Sequence, residues 1–239
     1  MGDDGNVYDR TSANSIALKE ISDLQMFVEL SWEALGLPKL SSLIHEKFSK
    51  YVPKKERGPA EDEYRERMNR LEEFAAAQAK GGFPYLHALA VIRLWTILEV
   101  FIQDVIVWTL SNISEAKELP VIKKLKGPLI EFASATQQKQ SEYITNLLYD
   151  DLSVRLKRGV GRFEDVLNTI ELGGPIDEKV KKLIYELSEI RNLMAHKNGV
   201  VDERILNNCP WLEATPGEHI KLSRQKYSYY VLAVGWYVN

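Results

Sequence analysis

The stretch that most limits the fold is residues 84–112, PYLHALAVIRLWTILEVFIQDVIVWTLSN, which is apolar on nearly every side of a helix. A helix of that kind has no face to spare for water, so it belongs at the centre of a bundle or in a membrane. Arg93, Glu99 and Asp104 interrupt the run, which favours a buried helix over a membrane span. Trp95, Glu99 and Gln103 share one stripe at i, i+4, i+8. A carboxylate among apolar neighbours needs a partner, and Arg191, on the other strongly patterned helix, is the expected one. A salt bridge that fixes helix register is the plainer reading of Glu99; a chemical role is the other.

That second helix lies in residues 177–202, DEKVKKLIYELSEIRNLMAHKNGVVD. Val180, Leu183, Ile184, Leu187, Ile190 and Met194 recur at helical intervals, Asp177 suits an N-cap, and Asn198-Gly199 supplies a left-handed stop. On a wheel of about 100° per residue with Val180 at zero, Arg191 falls near ~20°, at the edge of the apolar arc. Asn192 and His196 fall near ~120° and ~160°, stacked at i, i+4 and turned away from that arc. The plain reading is an arginine paired to an internal carboxylate and a surface histidine at a helix end, where its proton suits the dipole. The chemical reading takes the guanidinium, amide and imidazole as one constellation.

The rest of the chain also reads as helical. Residues 13–35 carry Ile16, Ile21, Leu24, Phe27, Leu30 and Leu35, and stop at Gly36 and Pro38. A second helix is expected over 40–51, a charged break over 54–59 (KKERGP), and a highly charged helix over 60–80 with a narrow stripe of Tyr64, Met68, Leu71, Phe74 and Ala75. Residues 118–128 look like a loop. Pro128 is placed to open a helix running towards Arg155, and FEDVLNTIEL (163–172) is a short helix closed by Gly173-Gly174-Pro175. Residues 200–218 read mostly as loop, EHIKL (218–222) as a short β element, and Ser223 as the N-cap of a closing helix. The expected architecture is therefore all-α, with an N-terminal helical extension over 1–80 and a helical bundle over 83–239.

Composition narrows the function classes. The 239 residues are 45% hydrophobic and 27% charged, with a net charge of −3. This is an ordinary globular balance, and any nucleic-acid contact needs a local basic patch. The loop RLKRGVGRF (155–163) supplies one with Arg155, Lys157, Arg158 and Arg162, although a solvated charge run is the commoner origin of such a stretch. A single cysteine, Cys209, excludes an internal disulfide framework and suits a reducing cytoplasm. The first ten residues, MGDDGNVYDR, are too acidic and polar for a secretory signal.

Phosphate-binding glycine loops and the G-x-S-x-G elbow are absent. His45-Glu46 opens like a zinc-protease helix, but Ser49 stands where the second histidine is required. The few histidines and the lone cysteine show no zinc-site spacing, so no metal and no cofactor are expected. Arg191-Asn192-x-x-x-His196 is left as the one constellation with chemistry in it.

RNLMAHKNGVVD (191–202), with the apolar helix carrying Glu99 before it and the closing helix after it, resembles the signature of the HEPN superfamily (higher eukaryotes and prokaryotes nucleotide-binding). The resemblance spans roughly residues 83–238. It implies an all-α bundle that dimerises so that two motif helices line one cleft. It also implies a metal-independent endoribonuclease of toxin–antitoxin, abortive-infection or RNA-processing type. On that reading Arg191, Asn192 and His196 are catalytic, Glu99 supports them, and Arg155, Lys157, Arg158, Arg162 and Lys197 are candidate RNA contacts. The partners implied are RNA, a second copy, and an antitoxin or regulatory protein. Some family toxins carry a modified tyrosine two residues after the histidine; here that residue is Asn198, so regulation of that kind has no acceptor. Other members have lost nuclease activity, and the alternative is a catalytically silent binding or dimerisation module. Residues 1–80 lie outside the resemblance and are placed to act as an internal inhibitor.

Overall fold

The computed structural model describes residues 10–35, 37, 39, 43, 44, 46, 47, 59–153 and 160–239. The charged break over 54–58 and the candidate RNA contacts Arg155, Lys157 and Arg158 lie outside the described residues, as does most of the helix expected over 40–51. Among the described residues the protein is all-α, and no helix is long and apolar enough to cross a membrane.

The helices are α1 (Arg10–Ala34), α2 (Pro59–Lys80), α3 (Pro84–Asn112), α4 (Ser114–Lys117), α5 (Pro120–Lys124), α6 (Leu129–Ser134), α7 (Gln137–Ser153), α8 (Val160–Thr169), α9 (Glu178–Lys197), α10 (Glu203–Asn208) and α11 (Arg224–Val238). The apolar α3 occupies the centre, in contact with α1, α7, α9 and α11. Val91, Leu94, Leu98, Ile102, Ile106 and Leu110 are fully enclosed there, each side chain contributing about 1.5–3 kcal/mol of transfer free energy. Pro84 sits in the first turn of α3, where its missing N–H leaves no bond unmade, and Gly82 takes a φ of 74° to turn the chain into it.

α1 packs on α3 through Ala13, Ala17, Ile21 and Val28, whereas Ile16, Phe27 and Leu30 from the expected stripe are exposed. Small residues at the contact allow close approach of the two backbones, and Arg93 of α3 pairs with Glu20 of α1 beside them. On α2, Tyr64, Leu71 and Phe74 are likewise exposed.

Several boundaries differ from expectation for local reasons. The helix expected from Pro128 to Arg155 is two helices, because Ala135 is extended. The break is held by Gln140, whose Nε2 donates to the carbonyls of Phe132 (3.1 Å) and Ala135 (3.2 Å). The short helix α8 begins at Val160 and stops before Gly173, closed by Glu171 at φ 61° and by the Leu172 N–H donating to Leu167 O (2.8 Å). The two stretches read as loops contain α5 and α10. EHIKL forms no strand; its one ladder element is a bridge between His219 and Val200.

Candidate functional site

α9 is fixed at both ends by its own sequence. The Asp177 carboxylate accepts the backbone N–H of Lys179 (2.8 Å) and Val180 (3.3 Å). At the far end Asn198 adopts φ 51° and Gly199 φ 76°, and the Gly199 N–H donates to Leu193 O (3.1 Å). A Cβ at position 199 would press on Met194 Sδ at 3.1 Å in a left-handed conformation, so glycine suits both the backbone and the space there. Beyond it, Ile220 N–H donates to Gly199 O (2.8 Å) and Val201 N–H to Glu218 O (2.9 Å), clamping the end of the motif helix to the loop before α11. The last two turns, which carry the constellation, are therefore held in place.

Ile184, Leu187, Ile190 and Leu193 face the core. Arg191 and Asn192 are half-buried and His196 is exposed, in the order that the wheel implied. Arg191 Nη1 donates to Asn192 Oδ1 (3.1 Å), which joins two of the three motif residues. Glu99 does not pair with Arg191. Its ion partner is Arg162 of α8, at 3.8 Å, and the same guanidinium lies 6.0 Å from the centre of the Tyr149 ring. The physical reason is proximity: α8 carries its cation to the half-exposed flank of α3 where Glu99 sits. Arg162, expected among the RNA contacts, is occupied there. Among the described residues no carboxylate lies within ion-pair distance of Arg191, and its Nε is buried without a partner.

A pocket of about 270 Å³ opens beside the motif, lined by Glu189, Asn192, Leu193, His196 and Lys197 of α9 and by Asp202, Arg204 and Ile205 at the start of α10. It brings Asn192, His196 and Lys197 together. Arg191 stands outside the lining and reaches it through Asn192. None of the described residues of α1 or α2 lines the pocket.

Asp202 closes the RNLMAHKNGVVD stretch, whereas two other lining residues, Arg204 and, more informatively, Glu189, lie outside it. On the same wheel Glu189 falls at ~180°, about 20° from His196, so the register groups it with the motif residues but gives no sign that it is buried. It is 3% exposed. Its Oε2 accepts Asn208 Nδ2 at 2.8 Å, while Oε1 is buried with no partner. An unsatisfied buried polar atom costs about 1–3 kcal/mol, more when charged.

One turn earlier Glu186, 1% exposed, is fully partnered. It accepts Tyr230 OH (2.6 Å) and Trp211 Nε1 (2.6 Å) and pairs with Lys226 Nζ (2.6 Å). Burial, and then Glu186 itself, push the Tyr230 phenol far above its ordinary range. Cys209 is buried beside this network, and burial followed by the charges of Glu186 and Glu189 push its thiol up to about 12. A thiol so rarely ionised is no nucleophile. Among the described residues no three His, Cys, Asp or Glu side chains converge as a metal-binding group.

No protein-family model matches the chain significantly, and neither does any curated protein or solved structure. The functional reading therefore rests on the site itself.

Proposed function

We propose that this chain is a metal-independent endoribonuclease of the prokaryotic toxin or phage-defence type, with Arg191, Asn192 and His196 as its reacting groups. The observation that carries the reading is the state of Arg191: a half-buried guanidinium with no carboxylate partner among the described residues, tethered to Asn192 on the rim of a pocket that contains His196. A guanidinium in that state is available to an external anion, and a phosphodiester is the anion its planar donors match.

The chemistry needs only groups that are present. The ribose 2′-oxygen attacks the adjacent phosphorus and the P–O5′ bond breaks, leaving a 2′,3′-cyclic phosphate and a 5′-hydroxyl. Arg191 offsets the negative charge gathering on the phosphoryl oxygens. Asn192 holds the guanidinium in register, and His196 takes or returns a proton. Lys197, on the pocket wall, adds charge for the backbone. An exposed His196 on the face away from the core suits a cleft completed by a second copy of the motif helix.

A catalytically silent binding module is the second reading, favoured by the place of Arg191 outside the pocket lining. Induced expression of the wild-type chain beside His196→Ala and Arg191→Ala separates the two. Growth arrest with fragmented RNA, absent for both folded variants, is expected. Arrest that persists unchanged in both variants assigns the effect to binding.

A further inference from the structure

The unpartnered oxygen of Glu189 bears on how the proton moves in the proposed reaction, and the inference drawn from it rests on the ribonuclease reading. Glu189, Asn192 and His196 sit at i, i+3 and i+7 of α9, rising about 4.5 Å and 10.5 Å along one face. All three line the same pocket. Glu189 is held in its rotamer from outside the helix: Asn208, the last residue of α10, donates to Oε2 at 2.8 Å. α10 is itself anchored by Asp202 Oδ1, which accepts the Ile205 N–H at 3.0 Å. The other oxygen, Oε1, is buried and has no donor among the described residues. The residue is 3% exposed, so a donor reaches Oε1 only as the pocket it lines opens around it.

A buried carboxylate oxygen without a donor, on a residue that lines a pocket with an imidazole and an amide, asks for a ligand that brings a hydrogen. Cations flank the same pocket at Lys197 and Arg204, with Arg191 beyond Asn192. The ligand therefore carries its donor close to a phosphate. In a nucleic acid the donor nearest the backbone phosphate is the ribose 2′-hydroxyl, which is also what distinguishes RNA from DNA.

We propose that Glu189 Oε1 accepts the 2′-hydroxyl of the substrate and takes its proton as O2′ attacks phosphorus. The P–O2′ bond forms, the P–O5′ bond breaks, and protonated His196 gives its proton to the departing O5′. Glu189 ends protonated and His196 neutral; exchange with water restores both. Glu189 thereby sets the preference for RNA and completes an acid–base pair within one chain.

The test is made on the full-length chain. Glu189→Gln keeps the volume and an acceptor for Asn208 but cannot take a proton. Its kcat on a single-stranded RNA oligonucleotide is expected to fall by about 10²–10³-fold, with KM rising by no more than the lost RNA-over-DNA preference, and the limb of the pH–kcat profile that falls towards acid is expected to vanish. Independently, the non-cutting His196→Ala chain is expected to bind an RNA oligonucleotide more tightly than DNA of the same sequence, and His196→Ala/Glu189→Gln to bind the two alike. If wild type cuts RNA and Glu189→Gln cuts within about threefold of it with the same pH profile, the role of Glu189 is overturned and the ribonuclease reading stands. If Glu189→Gln does not fold, equal binding of RNA and DNA by His196→Ala overturns it instead. If wild type neither cuts nor binds RNA, the ribonuclease reading falls and takes this inference with it.

Discussion

Glu186 and Glu189 lie one turn apart on α9, both almost wholly buried, and only one of them is at rest. Glu186 receives a phenol, an indole and an ammonium, so its charge is paired and both its oxygens are engaged within the fold. Glu189 receives one amide and keeps an oxygen without a donor. The two carboxylates have the same chemistry, the same helix and nearly the same burial; what differs is what the neighbouring elements bring. α11 and the loop after α10 close over Glu186, whereas beside Glu189 there is a pocket. The first arrangement fixes how α11 docks on α9. The second leaves an unmet interaction at the place where Asn192 and His196 also stand. An unmet interaction of this kind calls for a water, an ion or a ligand, and here it stands beside a pocket.

The comparison is most open to attack at Glu186. Glu186→Ala leaves the half-buried Lys226 ammonium, the buried Tyr230 hydroxyl and the Trp211 indole N–H without their acceptor, with an expected loss of about 3 kcal/mol of stability, read by denaturant unfolding. Glu189→Ala breaks one hydrogen bond and removes an orphaned oxygen, so its loss is expected to be about 2 kcal/mol smaller. Equal losses for the two variants would remove the distinction between them.

His196→Ala and Arg191→Ala are expected to lower RNA cleavage by about 10²–10⁴-fold while leaving the melting temperature within a few degrees of wild type. A melting temperature that collapses in either variant would show these residues to be structural. Gly199→Ala puts a Cβ into a left-handed position and against Met194 Sδ, with an expected loss of about 1–2 kcal/mol and a loosened end of the motif helix, readable as faster amide exchange at residues 193–197. A smaller effect belongs to His87, enclosed by Trp32, Phe83 and Tyr227 far along the chain from the motif. Burial, the larger influence, holds its imidazole below the ordinary histidine value, against the pull of the Gly82 and Leu222 carbonyls. The unfolded chain therefore binds the proton more readily, and stability falls as pH drops below about 6.5. His87→Phe should flatten that acid limb of the stability–pH curve.

How much of this was legible beforehand follows from where the causes lie. The caps Asp177 and Ser223, the Pro84 start and the Asn198-Gly199 stop act within a few residues, and local sequence was enough to place α3, α9 and α11. The outward face of Asn192 and His196 followed from helical period alone. The two buried glutamates did not, because a charged residue reads as a solvated one until its partners are known. Those partners lie 19 residues on for Asn208, 25 for Trp211 and 44 for Tyr230. The Glu99 pairing failed for the same reason: the nearer cation comes from α8, and no pattern in α3 or α9 points to it. In α1 the apolar stripe was right only in part: Ile21 and Leu24 pack on the core, but Ala13, Ala17 and Val28 share the contact while Ile16, Phe27 and Leu30 stay outside.

The most direct test of the central claim incubates purified full-length protein with a single-stranded RNA oligonucleotide in the presence of a metal chelator, and identifies the ends of any products by mass spectrometry. Fragments ending in 2′,3′-cyclic phosphate and beginning with 5′-hydroxyl, formed by wild type and lost with Arg191→Ala and with His196→Ala, are the result the account predicts. RNA left whole by a folded wild-type chain, or cut equally well by both variants, would contradict it.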